Sequence, residues 1–221
     1  GEAVIDIDSI TDYYDIALKT ARLAELAEFE NFHFEKLNIA NRVAVEKFVA
    51  EHNGFTYIIH LAAQAGDRYS LENPYSYVQS NVDGQLVLLE AARNMRDLKH
   101  LVFASSSSVY GASTKLPYTV NDSTDEPLSI YAATKKAGEV MGYVYAHLYG
   151  LRLTGLRFFT VYGPWGRPDM APTIFTQKIL NREPVPIFNN GNMRRNFTYI
   201  DDVVSGVISC LRSNQTSDST P

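Results

Sequence analysis

Cysteine, long apolar runs and basic clusters are scarce in this sequence, and each scarcity excludes a class of protein. One cysteine, Cys210, stands among 221 residues, which excludes an internal disulfide and predicts a reducing, cytoplasmic location. The longest apolar runs fall far short of the ~18 residues that a membrane span needs. With 20 Lys+Arg against 25 Asp+Glu and no basic run beyond residues 194–195, we expect neither a nucleic-acid nor a membrane partner.

Short β-branched or aromatic runs alternate along the chain with longer amphipathic runs. Strands are predicted at residues 3–8, 32–37, 57–62, 100–105, 153–159 and 185–188. Helices are predicted at residues 12–29, 41–52, 74–95, 129–150, 172–181 and from 201 onward, with a frayed end at 213–221. This alternation predicts an α/β fold, in which helices cover both faces of a parallel sheet.

Tyr131 and Lys135, four residues apart in the run YAATK, are the first catalytic candidates. This spacing places both side chains on one face of the predicted helix. A nearby ammonium and a positively charged nicotinamide would lower the pKa of the tyrosine, which could then remove a proton from a hydroxyl group. Four serines at residues 105–108 make the catalytic interpretation of this pair more specific. They end the preceding predicted strand, and the carboxyl end of such a strand lies in the ligand crevice of a parallel sheet.

Other residues could bind a dinucleotide or a charged sugar, although each also has an ordinary structural interpretation. Asp8 ends the first strand, where an acid can accept hydrogen bonds from a ribose, but such residues more commonly form turns. The Gly-rich loop that would precede it by ~20 residues is absent. The guanidinium groups of Arg167 and Arg195 could bind a diphosphate or a carboxylate. The ordinary interpretation is that both side chains are solvated on the surface. The five histidines are scattered, so no metal site is predicted.

Six segments resemble the NAD-dependent epimerase/dehydratase family, in the extended short-chain dehydrogenase/reductase group, and most closely its UDP-glucuronate 4-epimerases. They are IDSITDYYDIALKTARLAEL, HLAAQAGDRYSLENPYSYVQSNV, LVFASSSSVYG, LSIYAATKKAGE, GLRFFTVYGPWGRPDMAP and RRNFTYIDDVV. The resemblance implies a Rossmann-like, doubly wound parallel sheet. It further implies an NAD-binding domain over residues 1–160 and a partial substrate-binding lobe over residues 161–221.

The resemblance also implies roles for individual residues. Tyr131 is expected to be the base and acid, Lys135 its partner and a ribose contact, and Ser106 the catalytic hydroxyl. The expected contacts of the cofactor NAD are Asp8, Asn38, Ile39, Leu61, Ala62, Ala63, Gln64, Tyr131 and Lys135. The expected contacts of a UDP-sugar substrate are Arg68, Ser107, Ser108, Thr160, Arg167 and Arg195.

Some features depart from the usual pattern of this family. Asn38 and Asn196 stand where relatives usually carry Asp, and Asp67 stands where they carry an apolar residue. We expect weaker adenine recognition from Asn38 and an altered substrate approach from Asp67. The missing initiator Met and Gly-rich loop suggest a piece of a longer protein without its first, central strand and the rear of its substrate lobe. We therefore expect this piece alone to bind NAD poorly and to be unstable.

The activity implied by the resemblance is NAD-dependent 4-epimerisation of UDP-glucuronate to UDP-galacturonate through a 4-keto intermediate. Three alternatives stay open: a UDP-glucose or UDP-N-acetylglucosamine 4-epimerase, a related sugar-nucleotide dehydratase or decarboxylase, and a non-catalytic nucleotide-sugar-binding protein. The resemblance also implies a homodimer, formed by the helices predicted at residues 74–95 and 129–150 of each subunit.

Overall fold

The computed structural model describes residues 1–52, 54–187 and 189–213, which form parallel sheets and helices. The strands are β1 (Val4–Asp8), β2 (Phe32–Lys36), β3 (Tyr57–His60), β4 (His100–Ser106), β5 (Leu153–Phe158), β6 (Thr160–Tyr162) and β7 (Phe197–Tyr199). The helices are α1 (Ile16–Leu26), α2 (Arg42–Glu51), α3 (Tyr69–Glu72), α4 (Pro74–Tyr77), α5 (Gly84–Ala92), α6 (Ile130–Tyr149), α7 (Ala171–Leu180) and α8 (Ile200–Arg212). A π-helical segment, Val78–Asp83, joins α4 to α5, and a 3₁₀ turn, Ser107–Tyr110, follows β4.

The chain divides into two compact units, one of residues 1–36 with 159–206 and one of residues 37–158 with the stretch from 207. The predicted domains, residues 1–160 and 161–221, stay a prediction. Within the described ranges, no helix is long and apolar enough to cross a membrane.

The first unit contains two parallel strand pairs, each with a helix between its strands in sequence. β1 pairs with β2 in a register that sets Val4 opposite Phe32, and α1 is the crossover between them. The Asp15 side chain begins α1 by accepting a hydrogen bond from the Ala17 amide at 2.8 Å. β6 pairs with β7, and α7 lies between them in the chain.

The second unit is built on the sheet β3-β4-β5, in which β4 is the central strand. Leu101 and Val102 of β4 are completely buried, as expected for a parallel strand that helices cover on both faces. Ala92 of α5 packs with Leu101 and Phe103 in the hydrophobic core. The core therefore supports the carboxyl end of β4, where the serine run lies.

Two glycines let α6 and β5 approach the ring of Phe103 closely. A Cβ atom at Gly155 of β5 would lie 2.7 Å from the ring, and one at Gly142 of α6 would lie 3.3 Å from it. Larger side chains would push these elements away from β4. The helix that carries Tyr131 and Lys135 is thus held against the strand that carries the serines.

Both ends of α6 have the caps that its sequence predicts. The Ser129 hydroxyl accepts a hydrogen bond from the Ala132 amide at 3.0 Å, and Gly150 ends the helix with φ +65°. A left-handed residue at this position favours glycine. Asn73 likewise caps α4, where its side chain accepts from the Ser76 amide at 3.4 Å.

The predicted α/β fold is confirmed, and most predicted elements are present with ends shifted by a few residues. The strand predicted at residues 185–188 is wrong, since residues 185–187 have no regular structure and residue 188 lies outside the described residues. The sequence pattern missed β6 and β7, because three residues are too few to show a period of two. Of the predicted frayed end, only Ser213 lies among the described residues.

Candidate active site

Lys135 is a buried ammonium between α6 and β4. Its Nζ donates a 2.8 Å hydrogen bond to the carbonyl of Ala104 and lies 6.0 Å from the centre of the Tyr131 ring. Burial lowers the pKa of Lys135 to about 8, because the charged form is poorly solvated there. The structure thus brings Lys135 and Tyr131 together, as their spacing predicted, and holds the ammonium beside the end of β4.

Tyr131 is the second residue of α6, and its ring is held by aromatic contact. The ring of Tyr77 meets it edge-on, with 6.1 Å between ring centres and 75° between their planes. The Tyr131 carbonyl accepts a hydrogen bond from the Thr134 hydroxyl at 2.8 Å. Edge-to-face packing of this kind favours one ring orientation.

The four serines differ in their contacts: Ser105 and Ser106 end β4, and Ser107 and Ser108 begin the turn after it. Ser105 donates a 2.5 Å hydrogen bond to Glu139, while the Ser106 hydroxyl accepts one from the Ser108 amide at 3.2 Å and begins the 3₁₀ turn. Ser106 is nearly buried and Ser107 half-buried. α6 packs against both β4 and this turn. The structure therefore places Ser106 and Ser108 near the α6 face of the sheet and gives Ser105 a structural role.

Glu139 and Arg157 form an ion pair behind the serine run. The guanidinium donates to both carboxylate oxygens of Glu139, at 2.8 and 2.9 Å, and its carbon lies 5.0 Å from the Tyr110 ring centre. Burial alone would raise the pKa of Glu139, but hydrogen bonds from Arg157 and Ser105 hold it below its ordinary value. Sequence reasoning missed this pair, because its members are far apart in the chain.

His60 is a buried, neutral histidine at the end of β3. Burial and the nearby charge of Lys135 lower its pKa to about 4, although a hydrogen bond with the Gln85 side chain acts in the opposite direction. His60 and Gln85 are each less than a tenth exposed. In the sequence His60 stands out only as the start of the HLAAQ run. Nothing in that run predicts that its side chain is buried close to Lys135 and Gln85.

The loop after β3 is fixed at Gln64 by a side chain from the π-helical segment. Asn81 accepts a 2.8 Å hydrogen bond from the Gln64 amide and donates one of 2.9 Å to the Gln64 carbonyl. The Gln64 side chain itself is buried, and its Nε2 has no hydrogen-bond partner within the described part of the chain. A buried donor of this kind costs free energy unless a ligand or water supplies an acceptor.

The next three carbonyls of this loop also accept side-chain hydrogen bonds. The Tyr77 hydroxyl lies 3.0 Å from the Ala65 oxygen and 2.6 Å from the Gly66 oxygen. Ser70, which is completely buried, donates a 2.5 Å hydrogen bond to the Asp67 carbonyl. Every carbonyl from residue 64 to residue 67 therefore has a side-chain donor, with the Ala65 and Gly66 oxygens sharing the one Tyr77 proton, and these contacts restrain the loop.

The other predicted cofactor contacts of the second unit lie in mixed environments. Asn38 accepts a 3.0 Å hydrogen bond from the Ala40 amide, and Ile39 is buried against Gly84. Leu61 is 57% exposed, which is high for a leucine at a strand end, and Ala62 and Ala63 are half-buried. Arg68, a predicted substrate contact, is exposed just before α3.

Asp8 ends β1 in the first unit and forms a local turn. Its Oδ1 accepts a 2.5 Å hydrogen bond from the amide of Ile10, a residue with φ +50°. Burial, and secondly the charge of Asp8, raise the pKa of Asp6. The turn interpretation of Asp8 is thus confirmed, and its role toward a ribose stays a prediction.

The other predicted residues of the first unit are Thr160, Arg167 and Arg195. Arg167 forms a two-pronged ion pair with Asp169, at 2.9 and 2.6 Å, and the Tyr13 hydroxyl donates to the same carboxylate at 3.1 Å. Thr160 begins β6. Arg195 is exposed and donates a 2.9 Å hydrogen bond to the carbonyl of the preceding residue.

Two curated relatives are similar to almost the whole chain. UDP-glucuronate 4-epimerase 3 of Arabidopsis thaliana is 50% identical over 220 residues, 98% of this chain. Protein CapI of Staphylococcus aureus is 49% identical over 207 residues, 94% of this chain. The chain spans 51% of the length of the first and 61% of the length of the second.

Solved structures share the fold. The UDP-glucuronic acid 4-epimerase of Bacillus cereus, in complex with UDP-glucuronic acid and NAD, is 33% identical with a TM-score of 0.87, over 96% of this chain and 65% of that one. The UDP-N-acetylglucosamine 4-epimerase of Methanobrevibacter ruminantium is 28% identical with a TM-score of 0.82, over 97% of this chain and 66% of that one. These similarities confirm the predicted Rossmann-like class.

A sequence model of one family extends over nearly the whole chain. It matches residues 10–220, which include the YAATK run, the serine run and the loop after β3. The motifs, the parallel α/β fold and the matched range agree, and the chain belongs to the NAD dependent epimerase/dehydratase family.

Proposed function

We propose that the full-length protein epimerises a UDP-sugar at C4, with NAD as cofactor, and that its substrate is UDP-glucuronate. The observation that carries this proposal is the pair of Tyr131 and Lys135, held beside the serine run at the end of β4. The relative from Arabidopsis, 50% identical, is a UDP-glucuronate 4-epimerase, and this supports the choice of sugar.

Residues at the carboxyl ends of β3 and β4 fit a dinucleotide. The unpaired Nε2 of Gln64 offers a buried donor, exposed Leu61 offers an apolar surface, and Lys135 offers a cation. We propose that these three residues hold NAD together with Ala62 and Ala63, and that Asp8, Asn38 and Ile39 serve its adenosine end. When bound, NAD supplies reversible hydride acceptance at C4 of the sugar.

Proton transfer is assigned to Tyr131. A phenol is a poor base at neutral pH, and an ammonium 6.0 Å from its ring stabilises the phenolate. With a pKa of about 8, Lys135 is still mostly protonated at pH 7 and supplies that charge. Ser106, fixed at the start of the 3₁₀ turn, would bind the same sugar hydroxyl and share its proton.

The carboxylate of the sugar needs its own holder, because a 4-keto uronate is a β-keto acid that tends to lose CO₂. The Arg167 guanidinium forms a bidentate pair with the carboxylate of Asp169. A guanidinium at this position can therefore bind a carboxylate through two parallel hydrogen bonds. We propose that Arg167, Thr160 and the serines after Ser106 (Ser107 and Ser108) hold the sugar carboxylate, with Arg195 near the diphosphate. Restraint of the carboxylate near the plane of the carbonyl would slow decarboxylation.

Product analysis tests the proposal. Full-length protein is incubated with UDP-glucuronate and, separately, with UDP-glucose and UDP-N-acetylglucosamine, and products are followed by NMR. UDP-galacturonate is the expected product. Tyr131→Phe should slow its formation by about 10³-fold, within the usual range for a lost acid–base group. Tyr57→Phe, at an exposed tyrosine of the same unit, should leave the rate unchanged.

Other products would favour the alternatives. Conversion of UDP-glucose alone would indicate a hexose epimerase, and release of CO₂ a decarboxylase. Binding without conversion would indicate a nucleotide-sugar-binding protein.

We also propose that the protein is a homodimer through α6 and the helices from Pro74 to Ala92. An exposed apolar stripe on α6 supports this: Val140, Val144 and Leu148 are 50%, 41% and 62% exposed and lie on one helix face. Light scattering after size exclusion should give twice the subunit mass, and Val144→Glu should give a monomer. Val120→Glu, at an exposed loop residue, should remain dimeric. A monomeric unchanged protein would contradict the proposal.

A further inference from the structure

Arg167 and Asp169 form an ion pair within one loop of the first unit, between β6 and α7. The Nε and Nη2 groups of Arg167 donate to the two carboxylate oxygens of Asp169, at 2.9 and 2.6 Å. A guanidinium recognises carboxylates in general through a bidentate pair of this kind. Two positions along the chain, Asp169 thus supplies the same chemical group that a uronate would bring to Arg167.

A third residue holds the Asp169 carboxylate in place. The Tyr13 hydroxyl, from the loop between β1 and α1, donates a 3.1 Å hydrogen bond to Asp169 Oδ2. Burial alone would raise the pKa of Asp169, but hydrogen bonds from Arg167 and Tyr13 and the charge of Arg167 hold it below its ordinary value. Asp169 is therefore ionised at neutral pH. It keeps the hydrogen bond from Tyr13 when the long side chain of Arg167 turns to another carboxylate.

The ion pair of Arg157 and Glu139 provides a contrast within the same chain. Its side chains are only 19% and 16% exposed, so loss of either partner would leave a buried charge without its counter-charge. The side chains of Arg167 and Asp169 are 29% and 33% exposed. Water can solvate Asp169 when its guanidinium leaves, which makes an exchange of partners less costly there.

We propose that Asp169 is an internal competitor of the substrate: the sugar carboxylate binds Arg167 in exchange for Asp169, and Asp169 thereby limits the affinity of the enzyme for a uronate. This inference rests on the proposed function, in which Arg167 helps to hold the sugar carboxylate. The exchange conserves the charge-assisted hydrogen bonds of the guanidinium, because one carboxylate replaces another. UDP-glucose has no sugar carboxylate, so it does not compete with Asp169 for Arg167.

Asp169→Asn in the full-length, NAD-loaded protein tests this inference by calorimetry. The asparagine has one acceptor oxygen and no charge, so it competes less well for Arg167. The Kd of UDP-glucuronate should therefore fall about fivefold, as expected for the loss of one charge–charge contact at about 4 Å in water. The Kd of UDP-glucose should change by less than about twofold. Glu183→Gln, which breaks an exposed ion pair with Lys178 in the same unit, should change neither Kd.

Removal of Arg167 separates competition from a structural role of Asp169. Arg167→Ala should weaken the binding of UDP-glucuronate, and Asp169→Asn should give no further gain in that background, because no guanidinium remains to compete for. An unchanged or higher Kd of UDP-glucuronate in Asp169→Asn would overturn the inference, and so would an equal change for both sugars. If Arg167→Ala alone leaves the Kd of UDP-glucuronate unchanged, the proposed function fails at Arg167, and the inference with it.

Discussion

The side-chain amide of Asn81 binds both the amide and the carbonyl of Gln64, at 2.8 and 2.9 Å. Its Nδ2 also donates to the Thr134 hydroxyl at 3.0 Å, and that hydroxyl donates to the Tyr131 carbonyl at 2.8 Å. One side chain of the π-helical segment thus links the loop after β3 to the start of α6. Short π-helical segments between α-helices, such as Val78–Asp83, are frequent at functional sites.

Asn81→Ala should lower the free energy of unfolding by about 2–3 kcal/mol, because it leaves buried backbone groups of Gln64 without partners. It should also lower kcat, since the loop and the Tyr131 helix lose their common support. Denaturant unfolding and steady-state kinetics of the full-length protein measure both effects. Asn94→Ala is the control: its side chain makes one exposed hydrogen bond, so a change below about 0.5 kcal/mol is expected. Equal effects of the two variants would contradict this role of Asn81.

Glu139→Gln should destabilise the protein by about 2–4 kcal/mol. The change leaves the guanidinium of Arg157, which is 19% exposed, without its counter-charge. The glutamine keeps one oxygen that can accept from Ser105, but its NH2 group replaces the second oxygen, which accepts from Arg157 in the native pair. Glu46→Gln breaks the corresponding pair on the surface of α2, where Arg42 is 78% exposed, and should cost less than about 0.5 kcal/mol. Chemical denaturation of the two variants measures both losses of unfolding free energy. Similar losses would contradict the interpretation of Glu139 and Arg157 as a buried, structural ion pair.

Lys135→Met should increase stability at pH 7 while it abolishes activity. Folding lowers the pKa of Lys135 from 10.5 to about 8, so keeping the ammonium charged in the folded protein costs roughly 3 kcal/mol below pH 8. That cost disappears as the pH rises from 8 to 10.5, and the advantage of Met should shrink over the same range. Lys47→Met, at a 73% exposed lysine, should show no such dependence. Thermal unfolding of the NAD-free protein at several pH values measures the stability difference between Lys135→Met and the unchanged protein. A difference that does not vary with pH would contradict the lowered pKa of Lys135.

His60 should contribute to acid unfolding. Its pKa falls from 6.5 in the unfolded chain to about 4 in the folded one, so the unfolded state binds a proton first as the pH drops. The full contribution is present above pH 6.5, and roughly 3 kcal/mol is lost as the pH falls toward 4. His60→Gln should flatten the stability profile between these values, whereas His33→Gln, at a 63% exposed residue, should not. A profile unaltered by His60→Gln would show that His60 does not titrate as described.

Local patterns predicted the elements that carry the candidate site. Strand β4 is a continuous apolar run that ends in serines, and α6 has a serine cap and a glycine stop, so both could be located from neighbouring residues alone. The spacing of Tyr131 and Lys135 followed from the helix period.

Interactions between distant residues could not be predicted in this way. Ser105 and Ser106 look alike in the sequence, and only the fold brings Glu139 to the first of them. Asp67 was singled out as unusual, but its contacts with Ser108 and Ser129 depend on three loops that converge at the sheet end. Pairings of this sort leave no periodic signal.

UDP-glucuronate that carries deuterium at C4 gives the most direct test of epimerisation through a 4-keto sugar with Tyr131 as base and acid. With the full-length protein, we expect UDP-galacturonate that retains deuterium at C4 by NMR, because hydride leaves and returns to the same carbon. Tyr131→Phe should form this product about 10³-fold more slowly. Exchange of the label with solvent, or unchanged turnover by Tyr131→Phe, would contradict the proposed chemistry.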